Sequence, residues 1–260
     1  MNRENKYKIA VWVLSSIIII LGVVIFAVTR PKKIIRPQAV SLKGKIAIVL
    51  DDWGYNLNNQ PLIEGIKVPL TASVLPALSF SRKAAELLHN HGWEIILHLP
   101  MEPQEKYRLE KNTIMVGMDE AGIRGILDKD LESVPHVTGV SNHMGSRATS
   151  DARTMQAVFG ELKKKHLYFL DSFVSGQSVC SGLARKMGLA FAQRDVFLDN
   201  QEETGYIRAQ IYKLKLKARA KGSAIGIGHD RKITLEVLKE VIPEMEKEGY
   251  KFVLLSELVK

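Results

Sequence analysis

Residues 45–54 read Lys-Ile-Ala-Ile-Val-Leu-Asp-Asp-Trp-Gly. The apolar run Ile46 to Leu50 has no helical period and passes straight into two carboxylates and a turn-like Trp53-Gly54. That pattern is expected of a buried parallel strand ending at a polar edge. Two like charges pressed together at such an edge favour one carboxylate binding a cation and the other shifting toward base behaviour. Asp pairs also end strands simply by capping the next turn, and that reading stands beside the first.

Outward from this stretch, short runs rich in Ile and Val alternate with longer segments of helical period. Strands are predicted at 45–50, 70–75, 93–97, 137–141, 167–170, 190–192, 224–227 and 252–255, and helices at 81–89, 119–132, 151–164, 201–221 and 234–247. The alternation implies an α/β fold with a parallel sheet, and seven or eight strands suit a (β/α) barrel over residues 45–260. Ser150 or Asp151, and then Thr234, are good capping types at the helix starts. Residues 101–118 have weak periodicity and read as a long loop over one barrel end.

Upstream, Ile9 to Val28 contains no charged residue and spans about 30 Å as a helix, enough to cross a bilayer. It reads as a transmembrane anchor, with residues 1–8 a short tail and 29–44 a basic, Pro-containing linker. A cleaved signal peptide and a buried core helix are the alternatives, though no small-x-small cleavage site follows. Cations lie on both sides of the span, so the positive-inside rule does not orient it. The formal charge of +9 is concentrated there: residues 1–45 hold nine Lys or Arg against Glu4 alone, while the remainder carries 28 basic and 27 acidic residues. A nearly neutral domain without aromatic interleaving argues against a nucleic-acid partner, and no feature names a protein partner. Cys180 is the only cysteine, so no intrachain disulfide forms, and a buried apolar thiol is expected.

Nearly every predicted strand ends in a carboxylate or a histidine, at the edge where parallel α/β folds place their active sites. His98, His143 and His229 stand at strand ends, whereas His89, His91, His136 and His166 fall on helix ends or a strand start. One carboxylate with two imidazoles is the ligand set of an open catalytic zinc site.

Five motifs in order, Ile48-Val-Leu-Asp-Asp-Trp-Gly, His98-Leu-Pro-Met-Glu-Pro, Ser141-Asn-His-Met-Gly-Ser, Arg194-Asp-Val-Phe-Leu-Asp and Gly226-Ile-Gly-His, resemble those of the divergent polysaccharide deacetylases. These are relatives of the NodB-type carbohydrate esterases. The resemblance covers residues 45–260 and implies a distorted (β/α) barrel with an Asp-His-His metal site. It further implies a Zn2+-dependent hydrolase of non-peptide carbon-nitrogen bonds, one that removes acetyl groups from N- or O-acetylated cell-envelope polysaccharide. Such a substrate would place the domain outside the cytoplasmic membrane. By the same resemblance Asp51 matches the catalytic base, Asp52 the metal-binding aspartate, His98 the first metal histidine, and His229 the histidine that protonates the leaving group.

The sequence departs from the NodB pattern in two places. The second metal histidine should lie four residues after the first, where this chain has Glu102. His143 is the preferred replacement, with Glu102 as a less favoured ligand or a partner of the ligands. The Arg-x-Pro-Tyr motif is missing, and Arg147 or Arg194 is the candidate for its arginine, a structural ion pair being the alternative for each. Trp53, Glu102, Asn142, Arg147, Asp171, Arg194 and Asp199 are the candidate substrate contacts, with ion pairing at the barrel rim the competing role for the charged ones. Of Trp53 and Trp93, only Trp53 is placed to stack on a sugar. Two rival functions fit the same fold: an envelope protein that binds glycan or a partner without turnover, and a hydrolase of another peptidoglycan amide.

Overall fold

The computed structural model describes residues 2–29 and 41–260, so most of the expected 29–44 linker lies outside the described residues. The chain divides into two units, Met1–Ala39 and Val40–Lys260. In the first, α1 (Arg3–Thr29) is apolar on all sides and has no buried residue. Among the described residues it is the one helix long and apolar enough to cross a membrane, a test that a signal sequence near the N-terminus also passes. It begins earlier than the expected 9–28, taking in Lys6 and Lys8.

The second unit starts with β1 (Gly44–Trp53), α2 (Gln60–Ile63), β2 (Thr71–Val74), α3 (Ser81–Asn90), β3 (Glu94–Met101), α4 (Glu120–Ser133) and β4 (Val137–Met144). It continues through α5 (Ala152–Lys164), β5 (Tyr168–Asp171), α6 (Cys180–Met187), β6 (Phe191–Gln193) and β7 (Val196–Phe197). It ends with α7 (Thr204–Lys221), β8 (Ser223–His229), α8 (Lys232–Glu248) and β9 (Tyr250–Phe252). The sheet runs β6-β5-β4-β3-β2-β1-β8-β7, and each strand pair is parallel. β1 is an interior strand, third from the β7 end, and pairs with three others. β8 covers one of its edges from Lys45 to Asp51, while the other edge is shared by β9 near the strand start and β2 near its end.

The sheet curls. β6 and β7 occupy its opposite ends, yet only Arg194 and Asp195 separate them in the chain. Arg194 N donates to Asp171 O of β5, and Asp195 N donates to Ile225 O of β8, so successive residues bridge the two ends. The result is the expected distorted barrel, left open where β6 and β7 form no ladder with each other.

Two apolar clusters separate inside from outside. Ile46, Ile48 and Leu50 of β1 pack in the larger cluster with helix residues such as Leu88, Phe159 and Leu238. Ala47 and Val49 face a smaller cluster with Ile96, Leu170, Ile225 and Ile227 from neighbouring strands, which is the barrel interior. This period of two carries into the functional end of the barrel.

The five expected helices are present, with small shifts. Asp151 is the N-cap of α5 and accepts from Thr154 N at 2.7 Å; Asp119 caps α4 in the same way through Gly122 N, also at 2.7 Å. Each such cap contributes about 1 kcal/mol. Thr234 is not a cap: α8 starts at Lys232, and the Thr234 hydroxyl donates to Asp199 instead. The helix expected from 201 begins at Thr204, and the last strand is Tyr250–Phe252 rather than 252–255. α2, α6 and β7 were not expected, because four, eight and two residues are too few to show a period. Cys180 is a buried free thiol.

Asp130 of α4 is fully buried; its Oδ1 accepts from Asn112 Nδ2 of the 101–118 loop, and its Oδ2 has no partner. Burial pushes its carboxyl up to about 6, whereas an unfolded aspartate titrates near ~4. Between those values the folded chain holds an extra proton, so this group's contribution falls as pH rises from about 4 to about 6. Asp130→Asn is therefore expected to melt a few degrees higher than the parent at pH 7.5 and to lose that margin near pH 4. A margin independent of pH in thermal melts would show that the carboxyl is not strained by its burial.

Candidate metal centre

The inward positions of the central strands become polar at their carboxyl ends. Following the alternation, β1 points Ala47, Val49 and then Asp51 inward, β3 points Ile96 and then His98, and β8 points Ile225, Ile227 and then His229. On β2 and β4 the corresponding positions are Ser73, Ser141 and His143. By the same parity Asp52 would face the helices. It does not, because the β1–β2 register shifts between Leu50 and Trp53 and Asp52 takes φ +67°. This bulge turns two consecutive carboxylates toward one point. Asp is among the few residue types that tolerate that left-handed conformation.

His98 Nε2 lies 3.6 Å from Asp51 Oδ2 and 3.4 Å from Asp52 Oδ1, and His143 Nδ1 lies 3.2 Å from the same Asp52 oxygen. The His98 and His143 rings meet edge to face at 4.9 Å. Asp52, His98 and His143 each offer one ligand atom, and these atoms all lie within 4.8 Å of one another. Despite the short contacts, Asp52 Oδ1 makes no hydrogen bond, and His143 Nε2 has no partner either. A buried carboxylate oxygen left this way costs about 1–3 kcal/mol, and a divalent cation shared with the imidazoles removes that cost for Asp52 Oδ1. One carboxylate and two imidazoles fit such an ion. Burial opposes ionisation of Asp52, but contact with His143 and His98 outweighs it and holds the carboxyl well below the usual range. Asp51 goes the other way. Burial pushes it up, aided by Asp52, while His98, His229 and Ser73 pull it down only in part.

A chain of hydroxyls supports the cluster. His98 Nδ1 is 2.8 Å from Ser141 Oγ, which is 2.6 Å from Ser73 Oγ, and Ser73 faces Asp51. If His98 presents the Nε2 lone pair to the cluster, Nδ1–H donates to Ser141, Ser141 to Ser73, and Ser73 to the Asp51 carboxylate; every donor then has an acceptor. On the far side, Asp199 is fully buried and accepts from His229 Nδ1, His229 N and the Thr234 hydroxyl at 2.7–2.8 Å. Burial works against the His229 charge, but Asp199 more than compensates, so the imidazole is pushed above its ordinary value. Cα pairing of Asp51 with His229 sets this imidazole beside the carboxylates.

The sequence profile of the divergent polysaccharide deacetylases matches residues 48–259. The chain belongs to that family. It is 38% identical over 201 residues to the uncharacterized Escherichia coli K12 protein YibQ, covering 77% of this chain and 63% of that one. The chain therefore spans less than two thirds of this relative's length. The crystal structure of the uncharacterized protein ATU2773 from Agrobacterium tumefaciens C58 superposes with a TM-score of 0.79 at 24% identity, covering 86% of this chain and 92% of that one. A more distant fold relative is the Bc1960 peptidoglycan N-acetylglucosamine deacetylase, with a TM-score of 0.52 at 13% identity, covering 84% of this chain and 88% of that one.

In this member of the divergent polysaccharide deacetylases, several expected substrate contacts are engaged in the protein itself. Trp53 is 1% exposed and packs edge to face on Trp93 at 6.2 Å, so it is a core residue and no sugar platform. Its parity decides this: the bulge ends at Trp53, which resumes the outward, helix-facing line. Glu102 lies outside the metal cluster. Its Oε1 accepts from Arg147 and its Oε2 from Val116 N, both at 2.6 Å, so the pair is an ion-paired anchor for the long loop. Asn142 is buried and ties β4 to β5, with its Oδ1 accepting from Ser172 N and its Nδ2 donating to Met144 O. Asp171 is likewise buried and accepts from Phe173 N and Ser178 Oγ. Asp199 holds His229, as above. Arg194 donates to the carbonyls of Ser172 and Phe173 and lies 3.8 Å over the Phe197 ring, which in turn stacks on His229.

Sequence reasoning missed Ser73 and Ser141. Ser141 stood within a quoted motif, but its pairing opposite His98 is a register fact that only the β3–β4 ladder supplies. Partners that orient a metal histidine typically contribute 10–100-fold to affinity. Ser141→Ala is accordingly expected to weaken Zn2+ binding about 10–100-fold in competition with a chromogenic chelator, with little change in the melting temperature of the metal-free chain. Unchanged affinity would mean that the hydroxyl chain does not orient His98.

Proposed function

We propose that this chain is a membrane-anchored, zinc-dependent deacetylase that removes acetyl groups from an N-acetylated cell-envelope polysaccharide, its barrel outside the cytoplasmic membrane. The observation that carries the reading is the convergence of Asp52, His98 and His143, with Asp51 against them and His229 on the adjoining strand. Family membership and the name of the Bc1960 deacetylase support the substrate class, and α1 supports attachment to the membrane that such glycans overlie.

Asp52, His98 and His143 hold the ion in this reading, and when bound it supplies Lewis acidity toward the acetyl carbonyl and the attacking water. Asp51 is the general base. It accepts a proton from water as the water oxygen bonds to the acetyl carbon, and its raised affinity for a proton suits that task. His229 is the general acid. Asp199 strengthens its hold on a proton, which it gives to the amine nitrogen as the carbon-nitrogen bond breaks, leaving acetate and a free amino sugar. Glu102 and Arg147 shape the loop beside the site without entering the chemistry.

The test is acetate release from N-acetylated glycans by the zinc-loaded full-length chain in detergent. Asp51→Asn is expected to lower kcat by about 10²–10⁴ while leaving zinc affinity within a few-fold. Absence of acetate release from any N-acetylated glycan by the zinc-bound parent would sink the proposal.

The acid and base roles also set a pH profile. kcat/KM should be bell-shaped, because Asp51 must be ionised and His229 protonated. Asp199 raises the His229 pKa, so Asp199→Asn is expected to move the alkaline limb to lower pH and leave the acid limb in place. An alkaline limb that does not move in the variant would remove His229 from the acid role.

A further inference from the structure

A cleft of about 510 Å3 opens at the carboxyl ends of β1 and β2. Its volume falls within the roughly 300–1,000 Å3 usual for small-ligand sites. Three loops form it: Tyr55 follows the Asp51-Asp52 bulge, Ala77 and Ser79 follow β2, and Arg108, Glu110 and Lys111 come from the 101–118 loop. That loop is not loose where it begins and ends. Ile114 N donates to Pro100 O, Glu102 N donates to Ile114 O, and Glu102 is clamped by Arg147. One wall of the cleft is Tyr55, three residues along the chain from Asp52 and near enough for the Asp52 charge to act on its hydroxyl. A larger cavity, about 770 Å3, lies by α6 and β6 and includes none of these residues.

Two features of the cleft are unexplained by folding. The first is its aromatic surface. Tyr55 is 50% exposed, and its hydroxyl donates to Glu110 Oε1 at 2.6 Å, which fixes the ring at the cleft wall without covering its face. Among the described residues of the second unit, half of the exposed large apolar side chains, Tyr55, Phe80, Tyr107 and Leu109, stand on these three loops. Tyr55 and Leu109 of these line the cleft itself, and exposed apolar side chains gathered at a polar cleft mark a binding surface. The second feature is charge. Arg108 and Lys111 have no ion pair among the described residues, and Glu110, which accepts from the Tyr55 hydroxyl and keeps its charge, is the one carboxylate in the lining. The cleft thus offers an aromatic ring beside two cations and one carboxylate, a net positive lining.

We propose that this cleft is a carbohydrate subsite that binds a neighbouring unit of the glycan chain, its ring on Tyr55 and an acidic substituent, such as a carboxylate, at Arg108 and Lys111. The proposal rests on the deacetylase reading of the metal centre and adds to it a substrate class, an extended and acidic glycan rather than a single neutral sugar. An aromatic ring offers its face to the apolar side of a pyranose, and the guanidinium and ammonium select the charge. Tyr55, two positions beyond the buried Trp53, takes the stacking role that the sequence suggested for the tryptophan.

Equilibrium binding to the full-length, zinc-loaded chain in detergent tests this, with Asp51→Asn as the background to suppress turnover. The probes are N-acetylated oligosaccharides of two and six units, either neutral or carrying a carboxylate on alternate sugars. Tyr55→Ala should weaken the hexasaccharides about tenfold and leave the disaccharides within about twofold, whereas Tyr55→Phe keeps the ring and should stay within about threefold on both. Arg108→Gln with Lys111→Gln should abolish the preference for the acidic hexasaccharide and leave the neutral one unchanged. The proposal is overturned if Tyr55→Ala binds the hexasaccharides as tightly as the background, if it weakens disaccharides equally, or if acidic and neutral chains bind alike. Acetate release is read separately on the parent chain. Length-dependent, Tyr55-dependent binding without acetate release keeps the subsite and removes the deacetylase; acetate release with no effect of Tyr55→Ala on long chains does the reverse.

Discussion

The backbone at Asp52 carries the arrangement of the whole site. A regular strand sends adjacent side chains to opposite faces, so Asp51 and Asp52 could not both reach His98 from an unbroken β1. The bulge and the positive φ at Asp52 bring them together. Holding a non-glycine residue in that region costs on the order of 1–3 kcal/mol, and packing both carboxylates at one buried point adds repulsion. β1 sustains this because it is paired along both edges, with β8 reaching as far as Asp51 and β2 resuming at Trp53.

Everything else around the cluster divides the two carboxylates into different states. Asp52 faces two imidazoles and stays ionised. Asp51 is more deeply buried, and His98 and His229 offset that burial only in part, so it holds a proton more readily. The groups that orient His98 are neutral serines, and that choice follows from the same constraint: a third carboxylate in the interior would add to the repulsion between the first two. The carboxylate that orients a histidine, Asp199, is set on the far side of His229, where it acts on one imidazole and accepts three hydrogen bonds.

The charged and polar side chains at the rim mostly build loops. Glu102 and Arg147 lock the start of the 101–118 segment, Asn112 and Asp130 tie its far part to α4, and Arg194 ties the β5 loop to the bridge between β6 and β7. Loops fixed in this way leave exposed what they do not use, and near the metal centre that remainder is the face of Tyr55 with Arg108 and Lys111.

The sequence alone determined the parallel α/β architecture, the apolar N-terminal helix and the identity of the polar residues at strand ends, because period and composition are local properties that need no partner to be read. It placed Asp51, Asp52, His98, His143 and His229 as one set, since strand ends of a parallel sheet converge by topology. Tertiary structure decided which way each side chain faces. The inward turn of Asp52, the loss of Trp53 to the core, the engagement of Glu102 with Arg147 and the serine chain behind His98 all depend on register and on one backbone angle. A shift of one residue reverses the face of a strand, and nothing in a linear pattern records where such a shift occurs.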